Sequence, residues 1–217
     1  MGSIPINIIA KPKQQSLCVS FLLCLREYTC THQVAAEGTQ MKQSISYWHV
    51  AGFLFTSILG TFLHFLFDLS GQGVIAAIFS AVNESIWEHM KLIYYPMLLF
   101  SMIEYRFWGK NHKQFWCIKL VGILLGLTFV PMLYYTYTGI FGVSVDWLNI
   151  AIFFLSAGVV FWVENKLFQK ENSCRLSSQI SFCLICMIGV VFIVLTFFTP
   201  EIPFFKDPVS GSYGFQE

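Results

Sequence analysis

Charged residues are scarce in this sequence: Asp, Glu, Lys and Arg make up 12% of its 217 residues, about half the share found in soluble domains. Hydrophobic residues make up 56% and aromatic residues 18%. This scarcity excludes an ordinary soluble domain and indicates that lipid surrounds most of the chain. The formal net charge of +1 is also too small for a basic nucleic-acid-binding protein, so we expect no nucleic-acid partner.

Familiar motifs are missing as well. The chain has neither an HExxH nor a GxSxG pattern, which excludes the commonest zinc-protease and serine-hydrolase signatures. Its seven cysteines are an odd number scattered along the chain, which argues against a disulfide framework. Cys183 and Cys186 have the spacing of half a zinc or redox motif, but no second pair is near them. We interpret them as helix-packing residues.

Long apolar runs are what the sequence does contain. A helix needs about 20 residues to cross the hydrocarbon core. The five runs that reach this length are 47–69, 85–107, 115–137, 145–163 and 180–199. We predict an all-α fold, a polytopic membrane helix bundle with five transmembrane helices in the cell membrane. Its main partner is then the lipid bilayer.

The placement of lysine and arginine predicts the orientation of these spans. The basic residues that precede the first span or follow the second and fourth are Lys42, Arg106, Lys110, Lys113, Lys166, Lys170 and Arg175. The links 70–83 and 138–144 hold none. Because basic residues favour the cytoplasmic side, we expect a cytoplasmic N-terminus and a C-terminus outside.

The two ends of the chain differ from this central part. Residues 17–25 are apolar over about half the length of a spanning helix and lack a clear signal-peptide cleavage site. We therefore divide the chain into an N-terminal extension at 1–43, a transmembrane domain at 44–200 and an extracytoplasmic tail at 201–217. The extension is either a mis-assigned start or disordered. The tail either folds across the outer mouth of the bundle or stays disordered.

We expect translation to begin at Met41, where MKQSISYWHV has the character of a chain entering its first membrane helix. The intact mass of protein purified from its native host tests this. A mass that matches a start at Met41 is the expected result, and a mass that matches residues 1–217 contradicts it.

Ionisable residues gather where the first span ends and the second begins. His64 and Asp68 are four residues apart, so a helix places them on one face. Ser85-Ile-Trp-Glu88 has the form of a capping box, and a helix from there places Glu84, Glu88 and Lys91 in one polar stripe. Ionisable groups at membrane depth usually face the bundle interior or a water-filled cavity. We therefore expect these residues to converge near the outer surface.

This convergence predicts a functional site. Histidine and carboxylate together can hold a divalent metal ion such as Zn²⁺ or Mn²⁺, or act as general acid and base. We assign the roles as follows: catalytic, Glu84, Glu88 and His89; metal-ligating, His64, Asp68, Glu88 and His89; other polar site residues, Asn83, Lys91 and Asp146.

Structural roles explain several of the same residues equally simply. Glu84 and Asp146 suit the positive end of a helix dipole. Glu88 and Lys91 suit a local ion pair. Glu104, near the cytoplasmic end of the second span, we interpret as structural. These alternatives stay open at the level of sequence.

Three segments carry a resemblance to a known family: LHFLFDLSG, FSAVNESIWEHMKLIYYPMLLFSMIEY and IPFFKDPVSGSYG. Together they resemble a family of small bacterial integral membrane proteins of unknown function with an NESxWEHxK motif. The resemblance runs from Ser44 to Gly214. It implies no established activity or cofactor, and it places the first forty residues outside the family pattern.

Three functions are compatible with these observations. The first is an intramembrane enzyme acting on a lipid-like substrate, with a divalent metal as its candidate cofactor. The second is a proton- or cation-coupled transporter or channel subunit, although an odd number of spans without a visible repeat is unusual for one. The third is an accessory membrane protein whose polar residues hold helices or a partner together.

Overall fold

Six α-helices make up most of the computed structural model, which describes residues 44–170 and 173–215. The helices are α1 (Ser44–Leu69), α2 (Val74–Phe79), α3 (Ile86–Phe107), α4 (Phe115–Phe141), α5 (Asp146–Phe168) and α6 (Ser178–Phe197). Short 3₁₀ helices lie at Gly109–Asn111 and Pro203–Phe205. The predicted all-α bundle is confirmed. The N-terminal extension and Met41 lie outside the described residues.

Four of these helices are long and apolar enough to cross a membrane: α1, α4, α5 and α6. Their length and composition are those of a membrane-embedded protein. The remaining predicted span corresponds to α3, whose 22 residues include buried Glu88, Lys91 and Glu104. The count of five spans and their orientation stay predictions.

Local sequence signals explain where several helices begin and end. Ser85 caps the N-terminus of α3, and its Oγ accepts a hydrogen bond from the backbone N–H of Glu88. This is one half of a capping box, since the Ser85 N–H donates to Asn83 and not to the Glu88 carboxylate. Ser177 caps α6 in the same way. Gly142 ends α4 with a φ of 72°, a left-handed conformation that glycine adopts without steric cost. Each cap satisfies backbone groups that lipid cannot.

Helix α4 packs against α3, α5 and α6. Two glycines of its GILLG segment permit this close packing. A Cβ at Gly122 would collide with the Glu164 carboxylate on α5, and a Cβ at Gly126 would lie 3.1 Å from Ile93 on α3. Small residues therefore serve contact within the bundle.

The cysteines correct one interpretation. Cys117 on α4 and Cys174 before α6 form a disulfide with Cα atoms 6.0 Å apart, a single pairing that the argument against a disulfide framework did not foresee. Their separation of 57 residues conceals the pairing. Cys183 and Cys186 are free and exposed on α6. The disulfide lies at the end that the basic residues predict to be cytoplasmic, where disulfides are rare, so the orientation needs a direct test.

Accessible thiols test the orientation. We expect a membrane-impermeant maleimide to label Ser70→Cys in intact cells, in a background whose native cysteines are serine, because residue 70 is predicted to be outside. Lys110→Cys is the matched control and should react only after permeabilisation. Labelling of Lys110→Cys but not Ser70→Cys in intact cells would invert the topology.

Candidate functional site

Three predicted site residues meet where α1 ends and α3 begins, which we call the His64 end of the bundle. Nε2 of His64 lies 3.7 Å from Oε1 of Glu84, and Nε2 of His89 lies 3.5 Å from Oε2 of Glu84. One ligand atom from each residue lies within 4.8 Å of the other two. We call this cluster the His64–Glu84–His89 triad. Its side chains are 20–46% exposed, so solutes can reach them.

The start of α3 positions two members of the triad. Glu84 directly precedes the cap residue Ser85, so it lies on the link before the helix and not within a helical stripe. The side-chain oxygen of Asn83 accepts a hydrogen bond from the Ser85 N–H at 3.0 Å, which fixes this link. Nδ1 of His89 lies 2.9 Å from the Ser85 carbonyl oxygen. Because a carbonyl only accepts, Nδ1 carries the proton and Nε2 presents its lone pair.

Two histidines and one carboxylate are residue types that can hold a divalent metal ion. Zinc bonds to histidine nitrogen at about 2.0–2.1 Å, so the ligands of a tetrahedral ion lie roughly 3.3 Å apart. His64 Nε2 and His89 Nε2 lie 3.7 and 3.5 Å from different oxygens of Glu84. With one ligand atom taken from each residue, the three lie within 4.8 Å of one another, so they would have to draw together around an ion. Three protein ligands also leave a fourth position for water or substrate, as in catalytic zinc sites.

A cavity of about 430 Å³ adjoins the triad. Its lining includes His64, Glu84 and His89, with Asn149 as a further polar residue. The apolar lining side chains are Phe65, Leu92, Ile150, Phe153, Phe154 and Val209. The cavity thus places the potential ligands against an apolar chamber, which suits a molecule with a polar group and a hydrocarbon part.

The C-terminal tail folds over the His64 end, which is one of the two alternatives left open by the sequence. Phe205 packs against Trp87 with ring centroids 4.9 Å apart, and the N–H of Phe215 donates to the Thr196 carbonyl at 3.1 Å. The side-chain amide of Asn83 donates to the Gly214 carbonyl at 3.3 Å. The tail therefore forms part of the wall of the site.

Asp207 organises this tail. Its carboxylate accepts hydrogen bonds from the Val209 N–H at 2.7 Å and the Ser210 hydroxyl at 2.6 Å. Burial of the carboxyl works against ionisation, but hydrogen bonds from Ser210, Val209 and the backbone N–H of Glu84 outweigh it and lower the pKa of Asp207. The ionised carboxylate thus joins the cavity-lining Val209 to the triad residue Glu84.

Glu88 and Lys91 occupy a different place. Both are buried, and Lys91 Nζ lies 2.7 Å from Oε2 of Glu88 and 2.8 Å from the Ala77 carbonyl oxygen. The same Glu88 oxygen accepts a hydrogen bond from the Val82 N–H at 3.1 Å. The structure therefore separates Glu88 from the triad, because an interior ion pair engages its carboxylate.

The other predicted site residues also lie outside the triad. Asp68 is exposed on α1 and interacts with His64 through charge. Asn83 holds the link and the tail in place. The side chain of Asp146 is outside the described part of the chain. The residues predicted to converge thus divide into a triad, an interior ion pair and supporting contacts.

A second charged cluster lies at the opposite end of the bundle, and sequence reasoning missed it. It consists of His49, Glu104, Lys119 and Glu164, each at most 3% exposed. Lys119 forms ion pairs with both carboxylates, so Glu104, which we interpreted as structural, lies in an interior ion pair. The available signal was Lys119 itself, a charge within an otherwise apolar predicted span.

The fold and these sites define a class, an all-helical bundle with several helices of membrane-spanning length. Within that class the chain belongs to the family described as "Family of unknown function (DUF6512)", whose model matches residues 38–215. This match confirms the resemblance drawn from the sequence. No curated protein and no solved structure matches the chain.

Asp207→Asn tests the organisation of the tail. Because the pKa of Asp207 is lowered in the folded state, its contribution is complete above the ordinary carboxyl pKa of about 3.9 and is lost as the pH falls below it. We expect Asp207→Asn to speed hydrogen exchange of the Val209 amide roughly tenfold at neutral pH, the effect of a charged hydrogen bond. Wild-type protein should lose this protection only on acidification.

Asp68→Asn is the matched control, since it removes an exposed carboxylate from the same end of the bundle. It should leave the Val209 amide unchanged. Equal protection in wild-type and Asp207→Asn protein at neutral pH would show that the carboxylate does not hold the tail.

Proposed function

We propose that this protein is an integral membrane enzyme that binds one divalent metal ion at the His64–Glu84–His89 triad and hydrolyses a lipid-like substrate. The observation that carries the proposal is the position of the triad. Its histidine nitrogens lie 3.5 and 3.7 Å from the Glu84 carboxylate, on the wall of an apolar cavity of about 430 Å³. Ligands and a chamber for an apolar substrate thus adjoin one another.

The donor set favours zinc. Two imidazoles and one carboxylate form catalytic zinc sites, and the same set can hold iron in oxygenases. An oxygenase also needs an oxidant and a source of electrons, whereas hydrolysis needs only water. Hydrolysis by a zinc-bound water is therefore the reaction that requires least beyond these residues.

The residues support a simple sequence of bond changes. Zinc held by His64, Glu84 and His89 would supply an activated water at neutral pH. The Glu84 oxygen that does not face the metal would accept the proton of that water, and the water oxygen would add to the carbonyl carbon of an ester. The bond from carbon to the leaving oxygen then breaks, and Glu84 returns the proton to that oxygen. One water and one ester give one acid and one alcohol.

The lining of the cavity supports a lipid-like substrate. Phe65 on α1 and Ile150 and Phe154 on α5 line it and are also exposed at the surface of the bundle. In a membrane this surface faces hydrocarbon, so an acyl chain can reach the cavity sideways from the bilayer. The exposed polar triad then meets the headgroup region of the same molecule.

Metal content tests the first half of the proposal. Protein purified without chelator should hold about one zinc per chain, and His64→Ala or His89→Ala should weaken zinc binding at least tenfold because each removes a ligand. His112→Ala is the matched control, since His112 lies outside the triad, and should bind zinc as wild-type protein does. Equal zinc binding by all four proteins would overturn the metal site.

Lipid turnover tests the second half. Zinc-loaded wild-type protein in vesicles of acyl-labelled phospholipid should release labelled fatty acid. Glu84→Gln should reduce the rate at least a hundredfold, because it removes both the proton carrier and the carboxylate ligand. A second set of vesicles contains lipids with an acylated amino group, so that cleavage of amides is tested as well. If zinc binds at the triad but no ester or amide lipid is cleaved, the enzymatic half of the proposal fails and the metal site stands.

A further inference from the structure

The second charged cluster joins four helices at the end of the bundle opposite the triad, which we call the His49 end. Lys119 of α4 is at its centre, in ion pairs with Glu104 of α3 and Glu164 of α5. Nε2 of His49, on α1, lies 3.7 Å from Oε2 of Glu164. The residues come from separate helices, so the bundle itself assembles the cluster.

The charges of this cluster do not balance. One ammonium faces two carboxylates, so the group carries one net negative charge when His49 is neutral. The ammonium and both carboxylates are at most 1% exposed. A net charge buried at membrane depth is costly unless it is compensated. One additional positive charge would make the cluster neutral.

Buried atoms without hydrogen-bond partners indicate where an additional positive charge would bind. Among the described residues, His49 Nε2, Glu164 Oε1 and Glu104 Oε1 are buried without a hydrogen-bond partner. Nδ1 of His49 lies 2.8 Å from the Ile45 carbonyl oxygen, so it carries a proton as donor. Nε2 then presents a lone pair towards the Glu164 carboxylate, and two lone pairs repel. A proton between them would replace this repulsion with a charge-assisted hydrogen bond.

We propose that the His49 end binds one exchangeable proton, shared between His49 Nε2 and the Glu164 carboxylate. The ligand is thus a proton, and the site is independent of the metal and lipid chemistry proposed for the triad. Glu104 and Lys119 are positioning residues that hold the Glu164 carboxylate in place.

The described groups around the cluster do not change its net charge. The aromatic rings of Phe115, Phe161 and Phe168 surround the Lys119 ammonium at 5.6–5.7 Å from their centroids. His112, on the link between α3 and α4, lies behind Phe168, with ring centroids 5.1 Å apart. Arg106 and Lys166, the other basic residues of α3 and α5 near this end, are exposed to the surroundings of the bundle. None of them replaces the missing positive charge.

The Glu88–Lys91 pair provides an internal comparison. It is equally buried, with side chains at most 1% exposed, but it has one carboxylate for one ammonium. Lys91 also donates hydrogen bonds to the Ala77 carbonyl and the Thr196 hydroxyl, although Oε1 of Glu88 is, like Oε1 of Glu164, buried without a hydrogen-bond partner. Because its charges already balance, it needs no proton. Glu88→Gln is therefore a matched control for Glu164→Gln.

Infrared difference spectroscopy of the full-length protein in lipid tests the proposal. Titration between about pH 5 and pH 9, the range in which histidine ordinarily changes charge, should reveal a protonated carboxyl band that shifts in D₂O or an imidazolium signal. Glu164→Gln should lose this signal, and His49→Gln should lose or shift it. Glu88→Gln should retain the wild-type signal.

Nitrogen NMR of labelled histidines in wild-type protein provides a second measurement. It does not depend on whether Glu164→Gln folds. His49 should exchange between neutral and charged forms, or stay neutral while the carboxyl band reports the proton. If neither method detects a bound proton across this range, the proposal fails. It also fails if the signal survives unchanged in both His49→Gln and Glu164→Gln.

Discussion

The compensation of charge inside a lipid-embedded bundle is the constraint on which the rest of this structure depends. Lys119 of α4 is buried, so its charge requires carboxylates from the neighbouring helices. Glu104 and Glu164 supply them from α3 and α5. The pairing constrains the rotation of three helices about their axes, because α3 and α5 must turn their carboxylates towards α4, and α4 must turn Lys119 towards both. Glycine at position 122 leaves room for the Glu164 carboxylate.

The two ends of the bundle use polar residues differently. At the His49 end the charged side chains are buried, and aromatic rings surround the Lys119 ammonium. At the His64 end the triad is partly exposed and borders a cavity. The interior Glu88–Lys91 pair lies behind it and ties α3 to Thr196 of α6. A buried ion pair inside the bundle thus lies next to a partly exposed group of histidine and carboxylate side chains, and only the second group borders the cavity.

Sequence patterns predicted the parts of this arrangement that depend on short separations. The apolar runs predicted the helices, and Ser85 with Glu88 predicted the cap of α3. His64, Glu84 and His89 were assigned to one site, and they do meet. The prediction that Glu88 joins them rested on a helical stripe starting at Glu84. Because the helix begins at Ile86, Glu84 lies on the link while Glu88 turns inwards.

These sequence patterns could not predict contacts between distant segments of the chain. Nothing local to Lys119 identifies Glu164 as its partner 45 residues away, and the disulfide from Cys117 to Cys174 is hidden in the same way. The tail is similar, since its aromatic residues and turns suited either a folded or a disordered end. Its contacts with Trp87 and Asn83 depend on the packed bundle and not on the tail alone.

X-ray absorption at the zinc edge of the purified protein tests the central claim, that the triad is a metal site, most directly. The account predicts a first shell of nitrogen and oxygen ligands at about 2.0–2.1 Å, with the scattering pattern of two imidazole rings. A first shell containing sulfur at about 2.3 Å, or one without imidazole scattering, would contradict it.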